Sequence, residues 1–407
     1  MSALDVDSSG EVNRYGAGTV PSDSASAIGP ASMAWVRYTP DGSGPIPSSE
    51  VQAWAGRCRV AIFDPWESQA AAHFKKLAPS TTVLCRKHIA MVDQDEVGPL
   101  FSTGVSYEQA QRNGSWFAVD RSGDRISWGD PPRYWQMRVW DPEYRKAWVG
   151  NIVRELEDSP FDGVLAVGDL EETSRLDLPL PDLGSQTQQR EANNDLFAEA
   201  GEALKAMGKM LVASVGDARR SPRRWSFLSQ WGGVFEPGWM STVGGRVLDP
   251  GTARQQTHTL SREGDGAVQG DQLAIVRTPV PEGSGAVSRS GTVTEAEIEL
   301  VRYGLAAYWV FGGGHGVYAA SSPDGTRGLW IPEMAWDFGD PIQDPETVVN
   351  LWSRTFTKGW VAVNLASDGR RRRHVRLPTG YLLPDGTRPP EQVVLSAHQG
   401  ILLRRDF

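Results

Sequence analysis

The chain has 407 residues, of which 40% are hydrophobic and 22% are charged, a composition typical of a soluble globular protein. Its 50 acidic and 41 basic residues give a net charge of -9, which argues against nucleic acid and anionic membranes as partners. Two cysteines, Cys58 and Cys85, cannot form a disulfide framework. The 16 tryptophans outnumber the 12 phenylalanines and the 9 tyrosines, so flat rings with a polar edge are unusually abundant.

The first 31 residues are rich in Ser, Gly, Asp and Ala, and they predict a flexible tail because this composition cannot offset the entropy cost of ordering. They lack the basic and apolar regions of a secretion signal. No apolar run reaches the roughly 18 to 20 residues that cross a bilayer. We therefore expect a cytoplasmic protein with no membrane span.

Residues 32–338 alternate short apolar runs with helical patterns, which predicts repeated βα units around a parallel sheet. Eight apolar runs suggest a closed TIM barrel, so the fold class is α/β. The predicted strands cover residues 33–38, 59–63, 82–86, 163–167, 210–215, 233–235, 273–277 and 316–319.

Two helices have clear start signals. Asp141 is the expected N-cap of the first, with Pro142 in the first turn. Thr294 and Glu297 form the pattern of a capping box at the start of the second. Beyond them, residues 339–407 contain short alternating runs between Asp-Gly turns, which predict a small antiparallel β-sandwich domain.

Polar side chains follow several predicted strands. In a parallel barrel the reactive groups stand at the C-terminal strand ends, so these positions are the candidate site. Cleavage of a glycosidic bond needs one carboxylic acid to protonate the leaving oxygen and one carboxylate to attack or to activate water. Indole rings can also stack on the apolar face of a sugar. The candidates at or near strand ends are Asp64, Trp66, His88, Asp169, Asp217, Glu236 and Trp239.

Each candidate also has a purely structural interpretation. Glu236 directly follows an apolar pair and precedes Pro-Gly, which favours a catalytic role, whereas Asp169 can also cap the next helix. Asp217 precedes two arginines and can pair with them, and His88 can be structural or can contact substrate. Trp239 can equally pack in the core. No metal-binding or phosphate-binding motif competes, so neither a metal nor a cofactor is expected.

Several segments together resemble a known family, the hypothetical glycosyl hydrolase-like family 15, whose members are similar to the endo-α-1,4-polygalactosaminidases. The resemblance runs from about residue 33 to residue 403. It is carried by GVSYEQA at 104–110, WFAVD at 116–120, RISW at 125–128, WDPEYRKAW at 140–148, FDGV at 161–164, GVFE at 233–236, RYGLAAY at 302–308, WSRTF at 352–356 and GWVAVN at 359–364.

The resemblance implies a TIM barrel with a C-terminal β-sandwich and an acid pair at the ends of the fourth and sixth strands. Glu236 matches the second acid. At the first acid position this chain has Val167 instead. Asp169 lies two residues further along, and because side chains alternate along a strand, the Asp169 side chain would point to the same side as Val167.

The leading hypothesis is a glycoside hydrolase that acts on a glycoside or oligosaccharide, with Glu236 as general acid, Asp169 as nucleophile or base, and Trp66 and Trp239 lining the cleft. The remaining candidates, Asp64, His88 and Asp217, would bind substrate. Two alternatives stay open: a barrel enzyme of small-molecule biosynthesis that uses the same carboxylates, and a non-catalytic carbohydrate-binding protein. The sequence leaves the oligomeric state undetermined.

Overall fold

A computed structural model describes residues 33–39, 44–96, 98–168, 186–216, 218–281, 293–367 and 372–406. The strands within these ranges are, in chain order, β1 (Ala34–Arg37), β2 (Val60–Phe63), β3 (Thr82–His88), β4 (Met91–Asp93), β5 (Ser127–Trp128), β6 (Tyr134–Gln136), β7 (Gly163–Val167), β8 (Met210–Ser214), β9 (Gly232–Glu236), β10 (Leu273–Pro279), β11 (Val317–Ser321), β12 (Glu346–Val348), β13 (Leu351–Thr355), β14 (Gly359–Asn364), β15 (Arg373–Arg376), β16 (Tyr381–Leu382), β17 (Gln392–Leu395) and β18 (Gln399–Arg405).

The α-helices of the same ranges lie mostly between the parallel strands. In chain order they are α1 (Ser48–Trp54), α2 (Ser68–Leu77), α3 (Tyr107–Arg112), α4 (Pro142–Leu156), α5 (Gln186–Ala206), α6 (Pro222–Leu228), α7 (Pro250–Gln256) and α8 (Glu295–Gly312).

Eight parallel strands form the barrel in the order β1-β2-β3-β7-β8-β9-β10-β11. A parallel bridge between Met33 and Tyr318 brings the first strand to the last. Alternate strand residues such as Val36, Ile62 and Leu84 pack together inside the barrel. The residues between them belong to a larger apolar cluster that lies between the strands and the helices. The predicted α/β TIM-barrel fold is therefore confirmed.

Both predicted helix starts are present. The Asp141 side chain accepts hydrogen bonds from the backbone N–H groups of residues 143 and 144 at the start of α4. At the start of α8, Thr294 and Glu297 form a complete capping box. Gly313, with a φ of 59°, ends α8 in a left-handed conformation. Local capping chemistry thus fixes where both helices begin.

A short antiparallel sheet, β4-β6-β5, is inserted between β3 and α4, and we call it the insertion sheet. It follows the C-terminal end of β3, so it belongs to the face of the barrel where the candidate site was predicted. This sheet was not predictable from the sequence, because strands of two and three residues carry too little periodicity to be recognised.

The C-terminal region consists of antiparallel sheets, as predicted. A five-stranded sheet has the order β12-β13-β14-β18-β16, and β15 pairs with β17 in a second sheet. Trp360, Val375, Leu395 and Leu403 belong to one apolar core that draws on both sheets. Helix α8 packs against β18, where a side chain on Gly400 would collide with Ala306. The domain boundaries at 31/32 and 338/339 stay predictions, and residues 1–31 lie outside the described ranges.

Candidate active site

The first polar group at the C-terminal end of the barrel is a buried ion pair. Asp64, directly after β2, has no exposed surface. Its carboxylate accepts hydrogen bonds from the Arg86 Nε at 2.8 Å and from the Thr39 backbone N–H at 2.8 Å. The Arg86 guanidinium lies 4.0 Å from the centre of the Tyr38 ring. Burial raises the pKa of Asp64, while the charge of Arg86 lowers it. The ion pair thus links the C-terminal ends of β2 and β3 at the mouth of the barrel.

Trp66 stands beside this pair and is partly exposed. Its indole N–H donates to the Thr39 hydroxyl oxygen at 2.8 Å, and that hydroxyl donates to the carboxylate of Glu67 at 2.8 Å. Glu67 is itself buried and also accepts the backbone N–H of Ile46. The ring of Trp66 is therefore held in one orientation by its polar edge, and part of its surface faces solvent.

His88 is the last residue of β3 and lies opposite Val167 of β7 in the register. Its Nδ1 is buried and has no hydrogen-bond partner among the described residues. Burial and the nearby charge of Arg86 lower the pKa of His88 to about 3, so the imidazole is neutral at physiological pH. Gly168 packs directly against this ring, since a Cβ there would lie 2.4 Å from Nδ1.

Glu236 is the last residue of β9 and is 2% exposed. It pairs with Val276 of β10 and shares the strand side of Val234, and both valines belong to the cluster outside the barrel. Its carboxylate accepts the backbone N–H groups of Ala218 at 3.1 Å and Gly238 at 3.0 Å. These two hydrogen bonds hold the carboxylate in place at the strand end.

Two of the predicted site residues, Asp169 and Asp217, lie outside the described residues. The last described positions before Asp169 are Val167, which ends β7, and Gly168. Val167 is thus observed at the strand end where the family resemblance implies an acid. The roles of Asp169 and Asp217 stay predictions.

Trp239 corrects one expectation. Its side chain has no exposed surface, and its indole N–H donates to the backbone carbonyl of Gly304 in α8 at 3.0 Å. The ring lies in the cluster between the strands and the helices. Both its faces and its polar edge are therefore used in packing, and it does not line a cleft. The sequence could not separate the two interpretations, because only the path of the chain after β9 decides which way the ring turns.

Glu96, in the segment that follows β4, is a group that the sequence analysis missed. Its carboxylate accepts the Ser102 backbone N–H at 3.0 Å and also contacts the Ser102 hydroxyl. The pKa of Glu96 is raised to about 7, chiefly by burial and also by the charge of Asp93, while the hydrogen bonds from Ser102 and the charge of Lys87 lower it. It is half-buried, so it can exchange protons with solvent or a ligand. The presence of three acids within residues 93–96 was the one available signal in the sequence.

No group of three or more metal-ligating side chains was found among the described residues. Within the same part of the chain, no helix is both long and apolar enough to cross a membrane. The described strand ends offer carboxylates, a neutral imidazole, the Arg86 guanidinium and a tryptophan, which suits acid/base chemistry or recognition of a polar ligand.

A family model described as hypothetical glycosyl hydrolase family 15 matches residues 75–360, which is more than half of the chain. The chain belongs to this family. As a member of hypothetical glycosyl hydrolase family 15, the protein is an enzyme of glycosyl hydrolase type. The match includes the strand ends that carry His88 and Glu236, and it includes the whole insertion sheet.

Three solved structures show limited similarity to the chain. Aspergillus fumigatus Ega3 in complex with galactosamine is 9% identical, with 74% of this chain and 96% of that chain covered and a TM-score of 0.44. A maltogenic α-amylase from Thermotoga neapolitana is 9% identical, with 88% and 93% covered and a TM-score of 0.48. An α-amylase from Lactobacillus plantarum is 12% identical, with 92% and 98% covered and a TM-score of 0.46. No curated protein sequence gave a significant match.

Proposed function

We propose that the protein hydrolyses a glycosidic bond in an oligosaccharide by a two-carboxylate mechanism. Glu236 is the general acid that protonates the leaving oxygen, and Asp169 is the nucleophile or the base that activates water. The observation that carries the proposal is membership of a glycosyl hydrolase family, combined with a buried Glu236 at a C-terminal strand end. TIM-barrel enzymes have their catalytic groups at that end.

The surroundings of Glu236 hold its carboxylate in one position. The side chain is almost completely shielded from bulk water, and the carboxylate accepts the backbone N–H groups of Ala218 and Gly238. Strand alternation directs Glu236 away from the barrel axis. A substrate would therefore reach it at the end of β9 rather than through the barrel interior.

The remaining candidates would bind substrate. The partly exposed ring of Trp66 offers an apolar face for a sugar, and the imidazole of His88 is neutral and partly exposed. Asp64 would act through Arg86, because its own carboxylate is fully buried by that arginine and by Thr39. Asp217 is proposed to contact substrate beside Ala218, the residue that follows it in the chain.

Incubation with defined saccharides tests the proposal. The wild type, Glu236→Gln and Asp169→Asn variants would be assayed on aryl α- and β-glycosides, galactosamine oligomers and malto-oligosaccharides. General acid catalysis contributes about 100-fold or more, so we expect a loss of at least that size in kcat for Glu236→Gln. Glu333→Gln is the matched control, because Glu333 is also buried but pairs with Arg302 of α8. Hydrolysis unchanged by Glu236→Gln would refute the assignment.

Val167 at the expected acid position favours one second candidate, a carbohydrate-binding protein without turnover. In that case the wild type binds one of the oligosaccharides in calorimetry, no product forms, and Asp169→Asn changes nothing. If neither binding nor hydrolysis of any sugar occurs, acid/base chemistry on a different small molecule becomes the better explanation.

A further inference from the structure

The insertion sheet carries two aromatic rings side by side on one face. Trp128 of β5 lies opposite Tyr134 of β6 in the antiparallel register. Their ring centres are 6.1 Å apart and their planes differ by 26°. Both side chains are partly exposed. Residues directly opposite each other in an antiparallel pair point to the same side of a sheet, so the two stacked rings stand together on one surface of the insertion sheet.

Charged groups border this surface. The Arg133 guanidinium lies 5.2 Å from the Tyr134 ring centre and binds the Asp93 carboxylate through Nε at 2.9 Å and through the terminal nitrogen at 2.7 Å. Arg133 is 39% exposed, so part of its donor edge remains accessible. Asp95 adds an exposed carboxylate at 3.4 Å from Arg133. Asp93 itself is buried, so we call Trp128, Tyr134, Arg133 and Asp95 together the aromatic face.

The polar edges of the two rings are unused. Within the described residues, the Trp128 indole N–H and the Tyr134 hydroxyl make no hydrogen bond to protein, and neither atom is among the buried polar atoms. Trp135, the neighbour of Tyr134 in β6, is different. It points to the other side of the sheet, packs near Tyr107 and Phe117, and donates its indole N–H to Gln94. Trp135 therefore packs against other rings on one side of the insertion sheet, whereas Trp128 and Tyr134 are partly exposed on the other side.

The aromatic face is connected to the barrel mouth through acidic and basic neighbours. Asp93 lies opposite Tyr134 in the register of β4 and β6. The charges of Asp93 and Glu96 interact, and Glu96 in turn interacts with Arg86, which pairs with Asp64 at the end of β2. Because the insertion sheet follows the C-terminal end of β3, the aromatic face belongs to the same end of the barrel as the mouth.

We propose that the aromatic face binds sugar units of an extended saccharide chain, outside the units that are cleaved. Pyranose rings have apolar C–H faces that stack on indole and phenol rings, and hydroxyls that hydrogen-bond to guanidinium and carboxylate groups. The aromatic face offers both kinds of contact next to each other. The inference rests on the proposed function, and it assigns a polymer or a long oligomer as substrate rather than a small glycoside.

Calorimetric titration with oligomers of increasing length tests the proposal. The probes are α-1,4-linked galactosamine oligomers, their N-acetylated forms and malto-oligosaccharides, each from one to six units, with product analysis after every titration. The variants are Trp128→Ala, Tyr134→Ala and Trp128→Tyr. Trp336→Ala is the control, because Trp336 is also partly exposed but lies against Arg404 of β18. Thermal unfolding of each variant checks that it is folded.

Loss of a ring contact that contributes about 1.4 kcal/mol weakens binding about tenfold. We therefore expect Trp128→Ala to bind the longest oligomer about tenfold more weakly than the wild type. The effect shrinks with decreasing oligomer length. Trp128→Tyr, which keeps a ring, retains most of the affinity, and Trp336→Ala retains all of it. Weaker binding in the two alanine variants without any product would support the aromatic face and refute hydrolysis.

Three outcomes would overturn the inference. They are equal affinity of wild type and Trp128→Ala for every length, an equal loss in Trp336→Ala, and no binding of any oligomer by the wild type. If hydrolysis of oligomers is intact in the wild type and the KM of Trp128→Ala is unchanged, the proposed function survives while the aromatic face does not.

Discussion

The buried pair between Asp64 and Arg86 provides a sharp test of the packing at the barrel mouth. Asp64→Asn keeps the shape of the side chain but removes its charge and turns an NH2 group or a neutral oxygen toward the guanidinium. Removal of one partner from a buried ion pair costs about 3 to 5 kcal/mol. Arg86 is 23% exposed and can regain part of its hydration, so we expect about 3 kcal/mol.

Urea denaturation measures this cost. Tryptophan fluorescence and far-UV circular dichroism would be followed together, because coincident transitions justify a free energy from the midpoint. Glu50→Gln is the matched control. It breaks the pair between Glu50 and Arg37, also near a barrel strand, but the side chains there are 32% and 19% exposed. Such a pair is worth at most about 1 kcal/mol.

A double variant, Asp64→Asn with Arg86→Gln, separates the pair from its surroundings. It removes the unpaired charge, so we expect it to be more stable than Asp64→Asn alone, with a coupling free energy of about 2 kcal/mol or more. An Asp64→Asn midpoint equal to that of Glu50→Gln would refute the reasoning. The same would follow if the double variant were as unstable as the sum of its two single changes.

Two further predictions concern the loops around the mouth. Burial raises the pKa of Glu96 to about 7, so its protonated form stabilises the fold at acidic pH and this contribution is lost as the pH rises through about 7. The wild type should therefore lose stability relative to Glu96→Gln between about pH 5 and about pH 8 in urea titrations. A difference in the free energy of unfolding that does not change with pH would contradict this. Gly168→Ala should cost about 1 to 3 kcal/mol, because residue 168 has a φ of 83° and a Cβ there meets the His88 ring. If the urea midpoint of Gly168→Ala equals that of the wild type, the prediction is wrong, because the loop then relaxes at no cost in stability.

The barrel itself was predictable from the sequence. Parallel barrel strands are buried on both faces, so they appear as short apolar runs such as 163–167, which is the strand observed as β7. Helix starts were predictable for a related reason, since an N-cap such as Asp141 bonds to N–H groups only two or three residues away. Both signals are local in sequence, and the structure confirms both.

The site was predictable only in part. The position of Glu236 at a strand end follows from the apolar pair before it. The direction of its side chain does not follow, because it depends on which strand side faces the barrel axis, and that is set by the register with β10. The raised pKa of Glu96 was not predictable for a similar reason, because it depends on side chains from β3 and from the loop before α3.

The tryptophan excess separates the two kinds of information most clearly. The sequence by itself established an unusual number of indole rings and the capacity of such rings to bind sugars. Only the tertiary structure decided that Trp239 is a core residue with a satisfied N–H, while Trp128 lies open beside Tyr134. The physical reason is that burial of a large ring is decided by which distant elements cover it, and neither α8 nor the insertion sheet can be positioned from local sequence.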